Sequence, residues 1–183
     1  NYADFDGLTL YKEEFGNTFS YDEDGNVTAV KNLAKLQAHA TYDAYDNLTG
    51  YVQPGRPDTA KTTMTYGSSD AEKKKRLLRT TMTPSNVRTS YTYDSMGNRT
   101  GTSTIDIMDG TMVIQTASSY TADGNHIASQ TDARGKTTSF ITDTGKDTLT
   151  SITTPNGQTV SYTYDARKRI TATTATAGGS LRK

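Results

Sequence analysis

Along most of its length the chain alternates, with every second residue aromatic or aliphatic and the residues between them Thr, Ser or charged. In "FSYDEDGNVTAV" (19–30), Phe19 and Tyr21 flank Ser20; in "YTYDSMGNRT" (91–100), Tyr91 and Tyr93 flank Thr92; in "YTYDARKRIT" (162–171), Tyr162 and Tyr164 flank Thr163. Side chains on a strand change face at each residue, so each phrase predicts a strand with rings on one face and hydroxyls on the other. Tyr42, Tyr66, Tyr120 and Phe140 hold the same place in looser copies, with Met64 beside them in kind. Turn residues interrupt the alternation at regular steps. From Gly97 to Gly110 to Gly124, and from Gly145 to Gly157 to Lys168, the step is 11 to 14 residues, room for one strand of about seven residues and its turn. The expected fold is all-β, with antiparallel hairpins lying side by side in a curved ribbon.

The turns repeat a phrase of their own. Asp-x-x-Gly-Asn stands at Asp22, Gly25 and Asn26 and again at Asp94, Gly97 and Asn98. Asp43 and Asn47 keep it with Asp46 in the glycine place, and Gly124 and Asn125 keep it with Thr121 for Asp. Asp132 and Gly135 keep two letters, and Asp165 is followed by Lys168 where Gly is expected. Asp4 to Gly7 and Glu13 to Asn17 fit the same frame, and Asp143 to Gly145 is one residue short. The Asp carboxylate suits the N–H groups of a turn it opens, and Gly suits the positive φ of a type I turn closed by a bulge. A non-glycine residue there costs about 1 kcal/mol or more, so the hairpins with Asp46 and Lys168 are expected to use a different loop. "VQPGRPD" (52–58), "MTPSNVR" (82–88), "IMDGTMV" (107–113) and "TTPNGQT" (153–159) form a second class of turn, expected at the opposite edge of the ribbon.

Residues 67–79 depart from the pattern. "SSDAEKKKRLL" has Ser69 and Glu72 at capping-box spacing, then good helix formers, and reads either as a short helix or as an enlarged charged loop. The rest of the 183-residue chain reads as one repeat region, a fragment of something larger.

Composition narrows the function classes. Apolar residues make up 32% and mean hydropathy is -0.72, a poor supply for a thick core, yet 20 basic residues balance 20 acidic ones. That balance argues against disorder driven by net charge, and it removes the long-range attraction for nucleic acid or an anionic membrane. With no Cys, neither a disulfide framework nor Cys-ligated zinc is available. No apolar run has the length of a membrane span.

Candidate chemistry is sparse. Asp22, Asp24 and Asn26 alternate as in a calcium loop, but an EF-hand needs a bidentate Glu where Leu33 stands. His39 and His126 occupy unrelated repeat positions, and no Ser lies in Gly-x-Ser-x-Gly. No enzyme, metal or cofactor is predicted. The tyrosines offer a platform for glycans or a protein partner; the alternative is that their rings line up across strands and hold the sheet together. Asn26, Asn47 and Asn98 each begin an Asn-x-Thr sequon, which the repeat itself writes after its turn.

Tyr-x-Tyr-Asp-x-x-Gly-Asn, recurring with half-steps near ten residues, resembles the YD repeat of the Rhs family, and "TDARGKTTSF" and "TPNGQTVSYTYD" resemble its linking phrases. That family includes bacterial polymorphic toxins, wall-associated proteins, insecticidal toxin-complex components and teneurins. The resemblance implies β-hairpins spiralling into a hollow shell, with the remaining repeats and a cargo domain of the same parent protein as partners. It also implies a secreted or bacterial cell-surface location. The only prolines are Pro54, Pro57, Pro84 and Pro155, so the Asp-Pro-rich self-cleavage motif of many members has no counterpart, and self-cleavage is not expected.

Overall fold

The computed structural model describes residues 16–177, apart from residue 111. The strands are β1 (Thr18–Tyr21), β2 (Val27–Lys31), β3 (Gln37–Tyr42), β4 (Leu48–Val52), β5 (Lys61–Thr65), β6 (Thr80–Met82) and β7 (Val87–Tyr93). They continue as β8 (Arg99–Asp106), β9 (Met112–Tyr120), β10 (Ile127–Thr131), β11 (Thr137–Asp143), β12 (Thr148–Thr153), β13 (Thr159–Tyr164) and β14 (Ile170–Thr176), with one helix, α1 (Asp70–Lys74), between β5 and β6. All pair antiparallel in sequence order as a single 14-stranded sheet. The sheet is open and uncurled. The copies at Asp4 to Gly7 and Glu13 lie outside the described residues.

Two faces follow from the registers. Phe19 opposes Val30, which opposes Ala38; Ala40 opposes Tyr51, and Tyr51 opposes Thr62. This is the ring-bearing face, and most of its side chains are half-buried. On the other face hydroxyls meet directly across strands. Ser119 opposes Ser129, Ser129 opposes Ser139, and Ser139 opposes Thr153; Thr153 opposes Thr159, and Thr159 opposes Thr176. Hydroxyl pairs bond at Thr65 and Thr80 (2.6 Å), Ser119 and Ser129 (2.6 Å), Thr131 and Thr137 (2.8 Å), and Thr153 and Thr159 (3.0 Å).

There is almost no core. Among the described residues only Ala29, Val52, Asn47, Thr148 and the glycines Gly50 and Gly67 are buried, and no large side chain is fully covered. The cohesion of the sheet therefore rests on ladder hydrogen bonds, cross-strand pairs and the bonds at its turns.

The turns are more uniform than two classes of sequence suggest. Eight share one geometry: the first residue donates its N–H to the carbonyl four residues on, and the fourth donates to the carbonyl of the first. For Asp94 these distances are 3.0 Å to Asn98 O and 3.2 Å from Gly97 N; for Thr154 they are 2.8 Å to Gln158 O and 2.9 Å from Gly157 N. Pro84 and Pro155 thus sit in the same turn as the Asp copies, with Thr83 and Thr154 in the Asp place. The turn opened by Asp132 also shares it, but by strand order it lies at the edge opposite Asp94 and Asp165.

Lys168 and Asp46 correct the sequence reading. Both take the left-handed conformation, at φ 61° and 59°, and both keep the standard turn, with Lys168 N 3.0 Å from Asp165 O and Asp46 N 3.1 Å from Asp43 O. The Asp165 carboxylate accepts from Arg167 N (2.8 Å) and Arg169 N (3.0 Å), and together with the strand register these bonds outweigh a strain of about 1 kcal/mol. Asn86 and Lys35 take the same position at φ 62° and 59°.

Between the two readings of residues 67–79, the chain takes the helix. Ser69 Oγ accepts from Glu72 N (3.3 Å) and the Glu72 carboxylate accepts from Ser69 N (3.3 Å), the reciprocal capping box. Arg79 secures Glu72 from the far side at 3.0 Å. Gly67 is buried beneath Glu72, where a Cβ would collide with the Glu72 side chain.

Candidate functional site

The repeated phrase gathers at one edge of the sheet. The connections β1–β2, β3–β4, β5–β6, β7–β8, β9–β10, β11–β12 and β13–β14 all fall there, bringing together Asp22, Gly25, Asn26, Asp43, Asn47, Asp94, Gly97, Asn98, Gly124, Asn125 and Asp165. Asp132 and Gly135 are at the opposite edge.

Five tyrosines at or just past the ends of β3, β5, β7, β9 and β13 reach back to the hairpin before them. Tyr42 donates its hydroxyl to Val27 O (3.0 Å), Tyr66 to Leu48 O (3.2 Å), Tyr93 to Leu78 O (2.9 Å), Tyr120 to Arg99 O (3.2 Å) and Tyr164 to Leu149 O (2.6 Å). No ring opposes another ring in the registers. Tyr91 faces Thr102, Tyr162 faces Thr173, and Phe140 faces Ile152. The expected alignment of rings across strands is thus replaced, because an antiparallel neighbour presents the start of a returning strand, with its carbonyls, where the ring ends.

The asparagines reach forward to the hairpin after them. Asn26 Nδ2 donates to Asp22 Oδ2 (3.2 Å) and to Asp46 Oδ1 (2.9 Å). Asn47 Nδ2 donates to Asp43 Oδ2 and to Lys73 O, both at 3.0 Å. Asn98 Nδ2 donates to Asp94 Oδ2 (3.1 Å) and Gly124 O (3.0 Å). Helix α1 therefore fills the place of a missing turn by offering one carbonyl. At the final turn Arg169 stands for Asn and folds back on Asp165 instead, with Nε and Nη2 each 2.7 Å from Oδ2.

The Thr of the sequons at Asn47 and Asn98, and Thr171 two residues after Arg169, have a structural position too. The register shifts by one residue at Tyr42, Tyr93 and Tyr164, leaving Thr49, Thr100 and Thr171 unopposed as bulges. Their hydroxyls lie 3.1, 3.0 and 3.0 Å from those of Thr41, Thr92 and Thr163. Sequence reasoning missed these inter-hairpin bonds, although the spacing of Tyr, Asn and Thr around each Asp carried the signal.

The aspartates are acceptors, not acids. Lost hydration would raise the carboxyls of Asp22, Asp43 and Asp94, but the amides of Asn26, Asn47 and Asn98 and the backbone N–H groups of the turns outweigh it and hold all three below the ordinary value. At Asp165 the Arg169 backbone N–H and guanidinium do the same. Such groups stay ionised near neutrality and are poor proton donors. Among the described residues no three of His, Cys, Asp and Glu converge as metal ligands, and no helix is long and apolar enough to cross a membrane.

Comparison with known proteins places this geometry. No curated protein sequence matches the chain. Among solved structures, the chain is similar to the Tc holotoxin pore of Photorhabdus luminescens carrying the mutation TccC3-D651A, with a TM-score of 0.63 and 15% identity. It is equally similar to the crystal structures of TcdB2-TccC3 and TcdB2-TccC3-Cdc42, with TM-scores of 0.63 and 16% identity. In all three the likeness covers 88% of this chain and 9% of the other, so the chain spans a small strip of much longer proteins with which it shares a fold. The RHS Repeat family model matches residues 145–180, the segment holding Tyr162, Tyr164 and Asp165, and the likeness of the repeated phrase to the Rhs family is thereby shown.

Proposed function

We propose that this chain is a non-catalytic wall segment of a Rhs-type shell, enclosing or presenting another domain of its parent protein. The observation that carries the reading is the stitching of consecutive hairpins: tyrosine hydroxyls reach back to the hairpin before them and asparagine amides reach forward to the next. The named aspartates, glycines and asparagines then serve as turn formers, and the strand aromatics as links between turns. The likeness to the toxin-complex structures supports a shell in which this strip is one part among many. Export or display at a bacterial surface belongs to the same reading.

The test is protease protection in the parent reading frame. With residues 16–177 in place, the domain the shell encloses resists a protease that digests it when the strip is deleted; equal digestion overturns the wall reading.

A glycan platform on the ring face is the alternative. Five tyrosine hydroxyls are committed to carbonyls, so such a platform would rest on rings such as Tyr91 and Tyr162. Reproducible sugar binding on an array, lost in Tyr91→Ala and Tyr162→Ala, would move the assignment to adhesion.

A further inference from the structure

Four of the 20 basic residues stand side by side at Lys73, Lys74, Lys75 and Arg76, in the one helix among the described residues and the turn that ends it. Lys74, Lys75 and Arg76 are exposed, with 65% of the Arg76 side chain open to solvent. No buried side chain ties the helix down. It has five residues and buries none of them, far short of the roughly 12 to 15 at which an isolated helix becomes even marginal. Its capping-box bonds are exposed, and the chain leaves it through Arg76 in the left-handed conformation at φ 54°, a strain that opening relieves. Segments with few buried apolar contacts and exposed backbone bonds open locally at little cost.

We propose that residues 74–76 are a processing site, cut by a protease whose specificity pocket is acidic, and that the cut leaves the sheet in one piece. Water is the co-reactant. The amide C–N bond after Lys74, Lys75 or Arg76 breaks, the carbonyl carbon becomes a carboxylate, and the following residue keeps the nitrogen as an amine. Four like charges in a chain that is neutral overall make this run the place an acidic pocket is drawn to. The backbone can also be presented in the extended form that a peptide-binding cleft takes up. Strand pairing stops at Thr65 and Thr80, with Arg79 N bonded to Thr65 O at 2.7 Å just beyond it, so residues 66–78 draw out without breaking a strand pair. Exposed segments of this kind are where proteolytic nicking concentrates.

The second basic run, Arg167, Lys168 and Arg169, lacks this freedom. Arg167 N and Arg169 N bond the Asp165 carboxylate at 2.8 and 3.0 Å, Lys168 N bonds Asp165 O at 3.0 Å, and the flanking strands pair as far as Tyr164 and Ile170. Extending that turn would unzip β13 from β14. At the helix, by contrast, the cut ends stay joined. Thr63, Met64 and Thr65 pair with Met82, Thr81 and Thr80, the hydroxyls of Thr65 and Thr80 lie 2.6 Å apart, and the Glu72 to Arg79 ion pair at 3.0 Å spans the break. Each side keeps an anchor of its own as well. Asn47 holds Lys73 O at 3.0 Å upstream, and Tyr93 holds Leu78 O at 2.9 Å downstream. The inference rests on the helix and stands or falls separately from the wall reading.

Brief digestion of the full chain with trypsin, which cleaves after Lys and Arg, is the test. Within residues 16–177 the first cut, located by fragment mass, is expected after Lys74, Lys75 or Arg76, ahead of any in the 165–169 turn. Gel filtration without denaturant is expected to show the nicked chain eluting with the intact one, and in urea the two fragments part. Replacing the run as Lys73→Gln, Lys74→Gln, Lys75→Gln and Arg76→Gln keeps good helix formers and should abolish the early cut with the circular dichroism spectrum unchanged. A protease of broad specificity should still open that variant between residues 66 and 79, which separates charge recognition from access. A first cut in the 165–169 turn, a helix segment as resistant as the tight turns, a broad-specificity protease that spares it, or fragments that separate without denaturant would overturn the proposal.

Discussion

Replacing Asn47 by Asp changes one nitrogen to an oxygen and tests the edge network directly. Asn47 is 3% exposed, and its Nδ2 donates to two acceptors at once, the Asp43 carboxylate and Lys73 O, each at 3.0 Å. The substitution removes a bond to a charged group, worth about 1.5–3 kcal/mol, and a neutral one worth about 1 kcal/mol. It also sets a second carboxylate against Asp43. A loss of about 3 kcal/mol is therefore a lower expectation, and at about 2–4 °C per kcal/mol for a chain of this size the melting temperature falls by about 6–12 °C. Asn47→Ala should cost about half as much, because it brings no charge and also removes Oδ1, which is buried without a partner. Acid separates the two variants. Once the introduced carboxyl is protonated it regains one donor, so the gap between Asn47→Asp and Asn47→Ala closes as pH is lowered toward about 4. Circular dichroism melts at neutral and acidic pH measure this. If Asn47→Asp melts with the parent, or its deficit is the same at both pH values, then the amide does not link the β3–β4 hairpin to α1 as argued.

Other expectations follow from the same bonds. Lys168→Gly relieves a left-handed side chain and should raise the melting temperature by about 2–4 °C, whereas Asp46→Gly should show no such gain, because Asp46 Oδ1 accepts from Asn26 Nδ2. Tyr164→Phe should cost about 0.5–1.5 kcal/mol in urea denaturation by freeing Leu149 O, while Tyr162→Phe should be close to neutral. The depressed carboxyls of Asp22, Asp94 and Asp165 add stability that is complete above their unfolded value near 3.8 and is lost as pH falls through the lower folded values. Urea midpoints should accordingly be flat from neutrality to about pH 5 and drop below about pH 4; a midpoint that rises on acidification would reverse the assigned sign.

Strand positions and hairpin order were legible in the sequence because both depend on local rules. Alternation around Thr92 and Thr163 fixes faces, and the 11-to-14-residue step leaves room for one strand and one turn. What the letters did not reveal was how far neighbouring hairpins constrain a turn. Lys168 reads as a broken copy because left-handed lysine is strained, yet the Asp165 carboxylate and the paired strands hold it in the common turn. Asp132 reads as a member of the Asp series and sits on the other edge, since edge is set by counting strands, and Thr121 to His126 and Asp143 to Asp147 interrupt the phrase between them. Tyrosine partners were hidden for the same reason: a hydroxyl whose acceptor lies 15 to 21 residues upstream follows no local period.

These contrasts rank the letters of the repeat by what the fold asks of them. Glycine looks the most constrained in sequence, but Asp46, Asn86 and Lys168 all occupy its place at a cost of about 1 kcal/mol each. The aspartate is also replaceable, since Thr83 and Thr154 open the same turn at the opposite edge. Asparagine differs in kind, because its amide serves two turns at once, while Arg169 in its place bonds the carboxylate of its own turn. In a sheet with only six buried residues among those described, two of them glycines, no core exists to make good such a loss. The order of a hairpin beside its neighbour then depends most on tyrosine and asparagine, and substitutions there should loosen adjacent hairpins together, while substitutions at the glycine place should remain local.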